Sequence, residues 1–128
     1  MTFPCAAAYS PPFPALEVIL STPTEGLATG TLSALVDTGS DATFVPLAYL
    51  IQIGATETVE MWARSHWGER RRVLLYLVDI RVGDLTLPGI EVVGDDLGDE
   101  ILLGRDVLNR LRLLLDGPAE VSELIESG

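Results

Sequence analysis

Asp37-Thr38-Gly39-Ser40 is the stretch of this 128-residue sequence best equipped for chemistry. It follows the apolar run Leu32-Ser33-Ala34-Leu35-Val36 and precedes Ala42-Thr43-Phe44-Val45. An acidic side chain thus stands where a buried strand is expected to end, and ionised and unpaired it would be costly there. Gly39 lets the backbone turn sharply, while Thr38 and Ser40 bring hydroxyls that can bond locally. The pattern presents a carboxylate on a tight loop between apolar strands, a group able to take or give a proton. The alternative for so short a motif is an ordinary turn acid.

The other reactive residue types form no comparable constellation. His66 is the single histidine, and no Cys or Ser nucleophile stands in a recognisable arrangement with it. One Cys and one His argue against zinc. Asp95, Asp96, Asp99 and Glu100 are clustered, but their spacing departs from the calcium-loop pattern and reads as an acidic loop. No metal and no cofactor is expected.

A second motif decides between the readings of the first. Ile101-Leu102-Leu103-Gly104-Arg105-Asp106 begins 64 positions after Asp37 and runs into Val107-Leu108-Asn109-Arg110-Leu111. In this order and separation, Val36-Asp37-Thr38-Gly39-Ser40 and the apolar-apolar-Gly strand resemble the retropepsin-like (retroviral-type) aspartic proteases, over about residues 15–116. The resemblance implies a mostly β, retropepsin-like acid-protease barrel with one or two short helices. It also implies that the Gly104 strand passes close behind the loop of Asp37.

The activity it implies is hydrolysis of peptide bonds. Two carboxylates about 3 Å apart cannot both ionise, so one holds a proton and the other can activate water. One chain has one Asp-Thr-Gly, so the second Asp37 must come from another copy, in a homodimer with the site on its two-fold axis. By resemblance Asp37, Thr38 and Gly39 form the catalytic loop, with Thr38 bonding across the dimer and Gly39 offering backbone groups near substrate. Asp41 and Arg105 are expected to pair near the interface, the alternative being two exposed charges. Ser40 either helps hold the carboxylate or is a surface hydroxyl, and Asp106 receives no role. A peptide or protein substrate is the expected partner. The rival reading is a retropepsin-like domain that holds a peptide or protein without efficient cleavage.

Positioning these residues takes a series of short strands. Residues 1–14 hold Pro4, Pro11, Pro12 and Pro14, which resist regular pairing and read as an extended or flexible arm. Ala15 to Leu20 and Thr31 to Val36 read as a hairpin that delivers Asp37, with turn markers Pro23, Gly26 and Gly30 between. Ala42 to Val45 is a short strand, and Pro46 suits the first turn of a helix over Leu47 to Ile51. Thr56 to Trp62 and Arg72 to Val82 form a second hairpin, which the resemblance makes the flap over bound peptide. Its tip carries His66, Trp67 and Gly68, candidates for substrate contact, although for His66 a solvated loop histidine is the favoured reading and for the tryptophan packing on its own hairpin is equally open. In Arg70-Arg71-Arg72 the side chains must alternate faces. Leu85 to Leu87 and Ile90 to Val93 read as two short strands flanking Pro88-Gly89. A helix runs through Leu111, a last strand over Arg112 to Leu115, and residues 119–128 form an acidic tail. The domain proper spans 15–118. Phe3, Phe13, Val121, Leu124 and Ile125 have no obvious core of their own, so the terminal segments are candidates for the dimer interface.

Composition fits one domain with a modest core. The formal charge is −11, from 19 acidic residues and 8 basic ones, all Arg, which argues against nucleic acid. Cys5 alone cannot form an internal disulfide and fits a reducing compartment. The start lacks the basic region and apolar core of a signal peptide. No apolar run approaches the roughly 18 residues of a membrane span. A cytoplasmic protein is expected, with no nucleic-acid or membrane partner.

Overall fold

A computed structural model describes residues 1–23, 26–64 and 69–126. The order of elements is β1 (Thr2–Pro4), β2 (Ala15–Ser21), β3 (Leu32–Val36), β4 (Phe44–Pro46), α1 (Leu47–Gln52), β5 (Thr56–Arg64), β6 (Arg70–Val82), β7 (Leu85–Asp95), β8 (Ile101–Leu103), α2 (Arg105–Leu108), β9 (Leu113–Asp116) and β10 (Val121–Leu124). The chain is mostly β, as its strand-rich pattern leads one to expect.

Six strands close into a barrel in the order β2-β3-β8-β4-β7-β6, with β2 pairing back onto β6. Alternation makes the wall. In β2, Leu16, Val18 and Leu20 are buried while Glu17 points outward. In β6, Tyr76, Val78, Ile80 and Val82 do the same. Each such side chain contributes about 1.5–3 kcal/mol on burial. α1 follows Pro46 directly and sends Leu50 into the same core.

β8 is the strand that positions the site. It runs parallel to β3, with Ala34 opposite Ile101 and Val36 opposite Leu103. It also meets β4 antiparallel at Phe44–Leu102. The loop carrying Asp37 joins β3 to β4, so the Gly104 segment lies behind that loop.

Two segments differ from their expected form. Residues 85–95 make one strand rather than two short ones. Val78 faces Ile90 and Ile80 faces Leu87, so Pro88 and Gly89 together stand opposite Asp79 as a bulge. Gly89 adopts φ +63°, and its N–H donates to Asp79 Oδ1 at 2.9 Å. Proline has no N–H to give the ladder, and the bulge absorbs that loss. The terminal segments, for their part, pair with each other. β10 lies between β1 and β9 in a three-stranded antiparallel sheet. Phe3 and Leu124, expected to lack a core within the chain, are 5% and 3% exposed and belong to the main hydrophobic cluster.

Candidate active site

The Asp37 loop is held from both ends by backbone bonds. Val36 N–H donates to the Pro14 carbonyl at 2.9 Å, and Asp37 N–H donates to the Leu103 carbonyl at 3.0 Å. The first bond ties the loop to the N-terminal segment and the second to β8. Ser40 N–H closes the turn onto the Asp37 carbonyl at 3.2 Å. Gly39 N–H donates to Asp37 Oδ1 at 3.1 Å and so orients the carboxylate, which is half-buried.

Gly104 is required by the close approach behind this loop. A Cβ there would lie 2.2 Å from the Ala42 carbonyl oxygen and 2.5 Å from its carbon. α2 begins at the next residue and clamps the loop twice. Arg105 N–H donates to the Ser40 carbonyl at 2.8 Å, and Arg105 Nη1 donates to the Thr38 carbonyl at 2.8 Å.

The expected Arg105–Asp41 pair does not form within the chain. The ion pairs among the described residues are Arg71–Asp96 and Arg72–Glu60. Arg105 and Asp41 are both exposed, and the guanidinium is turned to a carbonyl that needs a donor. Ser40 Oγ donates to the Ala42 carbonyl at 2.6 Å, so it tightens the loop instead of touching the carboxylate.

Thr43 and Asp106 form a strut that the sequence reading passed over. Thr43 is fully buried; its hydroxyl accepts the Gly104 N–H at 3.0 Å and donates to Asp106 Oδ1 at 2.7 Å. Asp106 Oδ1 also accepts the Val107 N–H at 2.9 Å, and Oδ2 accepts the Thr43 N–H at 3.3 Å. A buried threonine hydroxyl without partners would be costly; that of Thr43 has both an acceptor and a donor. The available signal was a threonine inside an apolar strand and an aspartate at the start of a helix.

On the β5–β6 hairpin, Trp62 is 56% exposed. The guanidinium carbons of Arg70 and Arg72 lie 5.4 and 5.9 Å from its ring centre, within cation–π range. Arg71 points to the other face and reaches Asp96, so the three arginines alternate as a strand demands. His66, Trp67 and Gly68 lie outside the described residues. Asp95 Oδ1 accepts the N–H groups of Leu97 and Gly98 at 2.9 and 3.0 Å, which makes the acidic segment a capped turn. Among the described residues no group of three His, Cys, Asp or Glu could hold a metal ion. No helix among them is long and apolar enough to cross a membrane. The N-terminal segment is fastened to the loop before β8 by Tyr9 Oη donating to Glu100 Oε2. That bond, then burial, then the negative charges of Glu100 and Asp99, push the Tyr9 hydroxyl above its ordinary value of 10.0. Asp37 lines none of four surface cavities of 240 to 450 Å³.

A family profile described as "gag-polyprotein putative aspartyl protease" matches residues 28–110. The chain belongs to this aspartyl protease family. The match takes in the Asp37 loop, the hairpin and the Gly104–Arg105 segment. No curated protein matches the sequence. Among solved structures, the protease of EIAV in complex with the inhibitor HBY-793 superposes with TM-score 0.58 at 18% identity, over 77% of this chain and 86% of that one. The retroviral protease-like domain of Ddi1 from Leishmania major gives 0.54 at 14%, over 88% and 90%. A retropepsin-like aspartic protease from Rickettsia conorii gives 0.51 at 15%, over 88% and 94%. At these identities the likeness is one of fold, and the fold is the retropepsin-like barrel.

Proposed function

We propose that the protein is an aspartic endopeptidase whose site is completed by a second copy of the same chain. The observation that carries this reading is the Asp37 loop itself. It offers one oriented, half-buried carboxylate, clamped by β8 and α2 within the residues 28–110 that match the aspartyl protease family. In the proposed site two Asp37 carboxylates share one proton. The ionised one takes a proton from water as the oxygen attacks the substrate carbonyl carbon. The protonated one gives its proton to the carbonyl oxygen. The tetrahedral adduct then collapses, the C–N bond breaks and the amine leaves with a proton from the dyad.

On this reading Gly39 and Thr38 fix the two loops against each other, and Arg105 holds Thr38 by its carbonyl. The β5–β6 hairpin covers the substrate, and Trp62 with its two flanking arginines forms part of that cover. The deciding experiment is a peptide-library digest with wild type beside Asp37→Asn, which keeps the shape and removes the shared proton. Defined cleavage by wild type alone, strongest at acid to mildly acid pH, supports the reading. Equal cleavage by both removes it. Peptide binding without cleavage by either favours the rival, a retropepsin-like domain that only holds its partner.

A further inference from the structure

Between Cys5 and Pro14 the chain loops out from the barrel and returns. Ala6 N–H donates to the Phe13 carbonyl at 2.7 Å, and Phe13 N–H donates back to the Ala6 carbonyl at 3.2 Å. The Tyr9 ring packs on Phe13, with ring centres 5.2 Å apart. Its hydroxyl donates to Glu100, which makes the loop a strap fastened to the acidic segment before β8. The strap walls a cavity of 290 Å³. It contributes Ala8 and Tyr9, β3 contributes Leu35, α1 contributes Tyr49, and the acidic segment contributes Asp99 and Glu100. That volume suits one side chain better than a whole ligand.

The cavity lies on the side of β3 from which Asp37 projects. Asp37 N–H donates to the Leu103 carbonyl, so the extended run continues through it. In such a run alternate side chains share a face, so Leu35 and Asp37 are neighbours, about 7 Å apart along the strand. This face is not the barrel core. Leu35 is 6% exposed, yet it stands outside the main hydrophobic cluster to which Ala34 and Val36 belong. An extended peptide passing Asp37 advances about 3.3 Å per residue, so a side chain about two residues from the bond being cut would reach Leu35.

The lining states what that side chain should be. Leu35 and Ala8 offer an apolar floor, with two tyrosines and two carboxylates around it and no Arg from the described residues. Tyr9 uses one acceptor position of Glu100, but a carboxylate has about four. Asp99 makes no ion pair among the described residues. A basic side chain matches this layout, with an apolar stem for the floor and a cationic head for the carboxylates and the tyrosine rings. A wholly apolar side chain would cover the carboxylates without pairing them, which is costly.

We infer that this cavity receives an arginine or lysine side chain of the substrate, and that Tyr9, Asp99 and Glu100 set the preference. Its place in a reaction rests on the peptidase reading above; binding of a basic side chain does not.

The test uses the full chain in two forms. Wild type digests a peptide library, and Asp37→Asn captures peptides from the same library. Arg and Lys should be enriched within two residues of the bonds cut and in the captured peptides. Asp99→Asn with Glu100→Gln, its fold checked by urea unfolding, should lower the ratio of kcat/KM for an Arg peptide over its Leu counterpart about tenfold, the worth of one charge-assisted hydrogen bond. Asp99→Arg with Glu100→Gln should turn the preference from basic to acidic residues, which a merely structural role would not do. No basic enrichment in cut or captured peptides, or an enrichment that survives both pairs of changes, overturns the pocket. Capture of basic peptides through Asp99 and Glu100 with no cleavage by wild type keeps the pocket and refutes the peptidase reading. Cleavage without a basic preference keeps the peptidase reading and refutes the pocket.

Discussion

Replacing Gly104 by alanine would place a Cβ 2.2 Å from the Ala42 carbonyl oxygen, 2.5 Å from its carbon and 3.0 Å from its nitrogen. All three atoms are backbone, so no flexible side chain can move aside. The Ala42 backbone is also tethered, since its carbonyl accepts the Ser40 hydroxyl and the next residue is the buried Thr43. Overpacking costs about 1–3 kcal/mol in cores that can adjust, and a tethered loop belongs at the upper end. With a urea slope of about 2 kcal/mol per molar, a cost of about 3 kcal/mol lowers the unfolding midpoint by about 1.5 M. Any relief must push the Asp37 loop outward, and a displacement of about 1 Å at a reacting group costs about a hundredfold in rate. Urea unfolding followed by far-ultraviolet circular dichroism measures the first effect and peptide cleavage the second. Gly30→Ala is the control: nothing lies within 4 Å of its Cβ, so its midpoint should stay near wild type. A Gly104→Ala protein that unfolds at the wild-type midpoint would show that β8 does not pack against this loop as described.

Three further outcomes follow from the same geometry. Thr43→Val keeps the shape but leaves the buried Gly104 N–H without its acceptor, so stability should fall by about 1–3 kcal/mol and Thr43→Ser should recover most of it in the same urea titration. Arg105→Ala removes an exposed contact to the Thr38 carbonyl; the midpoint should move by about 1 kcal/mol or less, while cleavage should drop because Thr38 is no longer held. Tyr9 has a raised value in the folded chain, so its contribution is whole below pH 10.0 and is lost as pH climbs from there through the folded value; Tyr9→Phe should flatten that alkaline loss in stability scans.

The parts of the molecule legible in the sequence were those that local chemistry controls. An acid two residues before a glycine, between apolar runs, reads as a turn at strand ends, and the Asp37 loop is one. The Gly104 strand was readable through the resemblance to the retropepsin-like proteases, and the Ala42 backbone behind it supplies the steric reason for its glycine. What escaped the reading depends on partners remote in sequence. Pro88-Gly89 looked like a break between two strands, and only the pairing with β6 shows it as a bulge opposite Asp79. The terminal segments looked like loose ends, because β1 and β10 find their ladder in each other, 119 positions apart at Phe3–Ser122. Asp106 looked idle, since its partner Thr43 lies 63 residues away. Arg105 and Asp41 were expected to pair by resemblance to the family, but within the chain the Thr38 carbonyl takes the guanidinium.

The claim that most needs a direct trial is that one site is made by two copies of Asp37. Wild type held at fixed concentration and mixed with a tenfold excess of Asp37→Asn, under conditions where dimers exchange, should lose activity about tenfold, because nearly every wild-type chain then sits in a dimer with a single carboxylate. Activity that stays at its starting level under the same excess, with exchange verified by sedimentation of labelled chains, would contradict the shared site.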